Sequence, residues 1–249
     1  MTVLREEYFR RLVDAAHVEL FLSGNDGARM YWPWRMQPPK ESAPSYRNAC
    51  EVYAIDSDPL DDDVTTSDVL DEAVRLDAEI ASLQDVYHDM DATADSLLEG
   101  LEVADSHAFD GSLMLPLQEP YIDCWKEIGE PTNHIIGLGG LKDGSAAARI
   151  QAADEFSSTA GTDIHLHGFG WGPRGDLAAW IRNHPDVLDS LDYSTPLQTA
   201  INQELTPGDE RMSVQASYAA FRLIRDLREV SSCPDPVEES TLQIGLGES

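Results

Sequence analysis

The sequence predicts an α/β barrel of the (β/α)8 type, and three observations predict it. Short apolar runs alternate with helical patterns over most of the 249 residues, an order that builds a parallel sheet. Polar residues collect at the C-terminal ends of those runs, where a parallel barrel opens its pocket. No glycine-rich GxGxxG opens the first unit, which sets the chain apart from dinucleotide-binding sheets and leaves an open doubly wound sheet as the second choice.

In chain order the expected strands are 18–23 (VELFLS), 52–56 (VYAID), 80–85 (IASLQD), 113–118 (LMLPLQ), 134–138 (HIIGL), 163–167 (DIHLH) and 187–191 (VLDSL). Seven are clear and an eighth is not. Between them lie helical patterns, SDVLDEAVRL (67–76), ADSLLEGLEV (94–103), SAAARIQAADEF (145–156) and GDLAAWIRN (175–183), several opened by Ser, Thr or Asp at the cap position. There is no internal repeat and no low-complexity linker. A single barrel domain over 1–230, ending in a helical pattern at 214–230, and a loose tail over 231–249 are expected.

Composition narrows the setting. With 17 Lys+Arg against 46 Asp+Glu the formal charge is −29, and lysine occurs only at Lys40, Lys126 and Lys142. Such a carboxylate-rich surface suits molar salt, where the Debye length is about 3 Å and self-repulsion is screened, so a halophilic source is expected. At that salt counterion release is small, and acidity by itself does not exclude a nucleic-acid substrate. No run of roughly 18 apolar residues occurs, and the opening MTVLREEYFRR is charged where a secretory segment is apolar. A cytoplasmic protein with no membrane contact is expected. Cys50, Cys124 and Cys233 form no CxxC pair, so neither a disulfide framework nor a structural metal is expected.

One segment departs from the acidic background. Residues 27–50 carry Arg29, Arg35, Lys40 and Arg47 against the lone Glu41, interleaved with Tyr31, Trp32, Trp34, Tyr46 and four prolines. Arg29, Trp32, Trp34, Arg35 and Arg47 form a candidate nucleic-acid contact, arginines on phosphates and rings on bases. The alternative is a proline-rich packing loop whose tryptophans cover a barrel end.

The strand ends bring together Ser23 and Gly24, Asp56, Asp85, Gln118, Gly139 with Gly140, His165 with His167, and Asp189. Carboxylates, an amide, a Gly-Gly backbone and an imidazole at one mouth can bind the edge of a heterocycle and leave one carboxylate free as a nucleophile. Any one of them alone is equally suited to capping the next helix. His165 and His167, two apart on one strand, share a face and could instead bind a divalent metal.

The collinear order of these motifs resembles the tRNA-guanine transglycosylase superfamily, and more closely its branch that inserts 7-deazapurines into DNA. The stretch 55–85 is similar to that family's strand, helix and strand leading to a guanine-reading Asp, which falls on Asp85. LPLQ is similar to its strand ending in a base-binding Gln, at Gln118. GLGGL matches its backbone contact at Gly139 and Gly140, and HLHGFG its substrate-pocket strand bearing His167. LDSLDYSTP resembles the segment with the nucleophile, assigned to Asp189, which lies closer to the apolar run, rather than to Asp192, three residues on and so on the opposite face of an extended strand. Two features depart from the family: the first strand reads Leu22, Ser23, Gly24 without the usual Asp, and no zinc motif follows Asp189. The expected architecture is therefore a minimal barrel without the appended zinc subdomain.

The resemblance implies base exchange by double displacement. Asp189 would attack the anomeric carbon of a guanosine in DNA, with tRNA as the alternative polymer. A free 7-deazaguanine, such as the nitrile-bearing queuosine precursor, would then displace the enzyme. Asp85, Gln118, Gly139, Gly140, His167, Ser23 and Gly24 would bind substrate, with no cofactor and no metal. Two other readings stay open: a non-catalytic nucleic-acid-binding barrel that serves a separate catalytic chain, and an unrelated barrel enzyme using the histidines and a metal. A homo- or hetero-oligomer is left open as well.

Overall fold

Side chains alternate across an extended strand, and the apolar runs of this sequence sort accordingly into two layers. The computed structural model describes residues 16–23, 32–58, 61, 63–161, 163–194 and 227. Its strands are β1 (Glu19–Ser23), β2 (Trp34–Gln37), β3 (Val52–Ile55), β4 (Ile80–Ser82), β5 (Ser112–Leu117), β6 (Ile135–Leu138), β7 (Leu166–Gly168) and β8 (Ser190–Tyr193). All pair in parallel in chain order, and β8 returns to β1 with Phe21 opposite Asp192, closing a (β/α)8 barrel.

Phe21, Met36, Ala54, Ile80, Met114 and Ile135, one from each of β1 to β6, fill the interior. From β7, His167 continues that ring edge-on to Phe21, with centroids 5.9 Å apart. The alternate residues face outward. Leu20, Leu22, Leu115, Leu117, Ile136, Leu138 and Leu191 pack with helical Leu97, Phe156, Leu177 and Ile181. The helices are α1 (Pro44–Arg47), α2 (Thr66–Leu76), α3 (Met90–Asp105), α4 (Tyr121–Glu127), α5 (Ala146–Ala160) and α6 (Gly175–Asn183). The longer ones begin where the sequence places caps. Thr65 and Asp68 make a reciprocal capping box on α2, Asp89 accepts from Ala92 N–H on α3, and Ser145 accepts from Ala148 N–H on α5. Each such cap contributes about 1 kcal/mol.

The strand that sequence did not reveal is β2, inside the segment expected to be a cationic loop. Pro33 and Pro38 bracket it, and its outward residues Arg35 and Gln37 are polar, so no apolar run marks it. Both are buried: the Arg35 guanidinium lies 5.5 Å above the Tyr46 ring, and Gln37 accepts a 2.7 Å hydrogen bond from the Tyr53 hydroxyl. The pattern at 214–230 and the tail at 231–249 lie outside the described residues, apart from Leu227, which is buried in the outer layer. No helix among the described residues is long and apolar enough to cross a membrane.

Candidate active site

The C-terminal ends of the strands surround a cavity of about 1000 Å³. Ser23 closes β1, while Asp56 and Asp85 follow β3 and β4. Gln118, Gly139 and Gly140 follow β5 and β6, and Asp192 projects from β8; all of them line the cavity. Local contacts fix the set. Gln118 Nε2 donates to Asp85 Oδ2 at 2.6 Å, while its Oε1 accepts from His88 N–H at 3.2 Å, which orients the amide. Thr93 clamps the loop beyond Asp85 by donating to Val86 O and accepting from Val86 N–H, both at 3.0 Å. A Cβ on Gly139 would stand 2.6 Å from Gln118 Nε2. Gly140 has φ +76 and would place one 2.8 Å from Gln118 Oε1. The Gly-Gly pair is therefore the seat of the amide as much as a surface for a ligand.

Asp192 is the best-held carboxylate. Ser23 Oγ donates to its Oδ2 at 2.8 Å, Gly170 N–H donates to Oδ1 at 2.5 Å, and His167 Nε2 approaches Oδ1 at 3.6 Å. Burial opposes its ionisation, but His167 and these donors outweigh burial and hold the carboxyl below its ordinary range. Asp56 behaves oppositely. Burial, then the charges of Asp192 and Asp85, push it up to about 8. Asp85 is pushed up to about 6 by burial, with the Gln118 hydrogen bond partly offsetting it. Beneath the cavity, Ser190 Oγ lies 2.9 Å from His167 Nδ1 and 3.0 Å from His165 Nε2, so a file of polar groups descends the barrel axis. Among the described residues no group of three or more His, Cys, Asp or Glu is arranged to hold a metal ion.

Several expectations need correction. Asp189 is not in the cavity. It precedes β8 at the opposite end of the barrel, is exposed, and its carboxylate accepts the Leu166 N–H at 2.8 Å. Three residues at roughly 3.3 Å each separate it from Asp192, the carboxylate that does face the mouth. His167 does not line the cavity either; it is buried one layer below, against Asp192. Of the expected nucleic-acid contact, the described residues Trp32, Trp34, Arg35 and Arg47 are engaged within the protein. Trp32 is fully buried and donates from Nε1 to Leu20 O at 2.7 Å. Trp34 opens β2 and hydrogen-bonds Glu19 at the end away from the cavity, and Arg35 is inside the packing described above. Arg47 is tied to Glu79, Nη2 to Oε1 at 2.5 Å. Gly24 and Arg29 lie outside the described residues.

Sequence reasoning left out Asp56 and Asp192 as working residues, and also the cations of one wall, Lys142, Arg149 and Arg174. Asp56 had been visible as a strand end. Asp192 was weighed against Asp189 and set aside because Asp189 lies closer to the apolar run 187–191, the expected strand; the strand in fact starts at Ser190.

No protein-family model matches the chain, and no curated protein matches it in sequence. Among solved structures, the YdjI aldolase from Escherichia coli K12 superposes with a TM-score of 0.55 at 12% identity, over 88% of this chain and 94% of that one. The two share the barrel fold, and at this identity the likeness speaks for the fold alone.

Proposed function

We propose that the chain is a base-exchanging glycosyltransferase that replaces guanine in DNA with a free 7-deazaguanine, and that Asp192 is its nucleophile. The observation that supports this best is the pairing, in one cavity, of a carboxylate held ionised with a carboxyl held protonated. Asp192 is depressed while Asp56 is raised to about 8, the division of labour that nucleophile and proton donor require. Beside them the Gln118–Asp85 pair offers donor and acceptor atoms to a purine edge. Tyr87, 39% exposed on the same rim, offers a face for stacking once the target base has left its helix.

The steps balance. An Asp192 oxygen bonds to C1′ as the C1′–N9 bond breaks; its electron pair leaves on guanine, and the Asp56 proton neutralises it. The 7-deazaguanine then attacks C1′ through N9, the Asp192–C1′ bond breaks, and the N9 proton passes to Asp56, so both carboxyls end as they began. Asp56 thereby supplies a carboxyl that the first strand lacks.

The test is incubation with labelled guanine-containing duplex DNA and, separately, tRNA, each with a 7-deazaguanine in molar potassium chloride, followed by nucleoside mass spectrometry. Exchange into DNA is expected, abolished in Asp192→Asn and largely retained in Asp189→Asn. Full activity in Asp192→Asn would sink the nucleophile assignment, and exchange into tRNA alone would overturn the choice of polymer.

A further inference from the structure

The rim of the cavity is electrically divided. The loops after β2, β3 and β4 place Glu41, Asp56, Asp58 and Asp85 on one side. Lys142 after β6, Arg149 on α5 and Arg174 before α6 stand on the other, with Asp143 as the one carboxylate among the described lining residues there. A chain with 46 acidic and 17 basic residues has carboxylates to spare for its cations. Lys40, Arg47 and Arg75 each have an acidic partner. None of the three wall cations is in an ion pair among the described residues. Arg174 lies against the Tyr193 ring at 5.4 Å, and Lys142 is exposed. Arg149 spends its Nε and Nη2 on Leu141 O and Lys142 O at 3.0 and 2.5 Å, which braces the loop that carries Lys142. Beside Arg174 the nine-residue α6, with Asp176 exposed in its first turn, begins with no side-chain cap among the described residues, which leaves its first N–H groups for another acceptor, with Gly172 and Leu177 lining the cavity around them. Cations with no ion pair among the described residues and a helix start with no side-chain cap, on one wall of a cavity, are independent features with one common complement, an anion.

We propose that Lys142, Arg174 and the start of α6, braced by Arg149, form a phosphate subsite for the phosphate flanking the sugar held at Asp192. The subsite deepens the base-exchange reading and rests on it for the identity of the sugar. The order of strands around the mouth sets this wall between Gln118 of the β5 end and Asp192 of β8. A nucleotide whose base meets Gln118 and Asp85 and whose anomeric carbon meets Asp192 therefore turns its phosphate toward the cations. The same chemistry serves a free nucleotide or a polymer.

The experiment titrates the full chain with inorganic phosphate, followed by 31P NMR in potassium glutamate, where chloride does not compete. Saturable binding is expected, weakened tenfold or more in the Lys142→Gln/Arg174→Gln double variant and unchanged in Lys126→Gln, on α4 and outside the cavity lining. Phosphate binding unchanged in the double variant, with its fold intact by circular dichroism, overturns the subsite. Deoxyguanosine 5′-monophosphate and a three-nucleotide DNA centred on guanine are then compared. Tighter binding of the trinucleotide assigns the phosphate to a polymer, equal binding to a free nucleotide, and both support the subsite. Asp192→Asn keeps phosphate binding while losing exchange. Phosphate binding without any added affinity from deoxyguanosine would defeat the guanine reading and leave the subsite standing.

Discussion

At the scale of single residues, three of the carboxyls at the mouth, Asp56, Asp85 and Asp192, differ in charge because their neighbours differ. The raised Asp56 and Asp85 bind protons more tightly folded than unfolded, so their contribution to stability is full below the ordinary Asp value of 3.8 and is lost as pH rises through about 6 and about 8. Asp192 acts in the opposite sense, but only in acid, below 3.8. Half-buried His165, lowered from 6.5 by desolvation, gains stability as pH rises toward 6.5 and contributes no change above it. Between about pH 6.5 and 8, Asp56 therefore dominates among these groups. Thermal unfolding midpoints should fall with pH across that window, and Asp56→Asn should flatten the fall; an equal slope in the variant would show that Asp56 is already ionised. Of these residues, Asp85 and Gln118 were legible in the sequence because each ends an apolar run. Asp192 was not, because strand limits set by hydrophobicity are uncertain by a few residues, and three residues carry a side chain from one end of a barrel to the other.

At the scale of elements, seven strands and four helices follow from periodicity and caps, whereas β2 does not. Its neighbours on the outer face, Tyr46 stacked under the Arg35 guanidinium and Tyr53 bonded to Gln37, engage these polar residues in ways no local pattern announces. The tryptophan that precedes it belongs to packing. Removing the buried Trp32 ring and its 2.7 Å bond to Leu20 O should cost about 3 to 5 kcal/mol of stability. Urea unfolding of Trp32→Ala checks this. A variant as stable as the parent but defective in binding DNA would restore the ring to a surface role.

For the whole molecule, a formal charge of −29 makes compactness a matter of screening. Raising potassium chloride from 0.1 to 1 M shortens the Debye length from about 10 to about 3 Å, and the midpoint of thermal unfolding should rise with it; a flat response would show that the carboxylates are already spaced beyond mutual repulsion. The interior has its own long-range property. The Ser190 hydroxyl has a single hydrogen to share between His165 and His167. Where both rings carry one hydrogen each, donating to one requires accepting from the other, so their tautomers are yoked. With the hydrogen turned to His167 Nδ1, that ring carries its own on Nε2, beside Asp192; with the hydrogen turned the other way, Nε2 meets the carboxylate with a lone pair. The barrel floor thus relays the orientation of one hydroxyl rotor to the Asp192 carboxylate with no movement of the backbone.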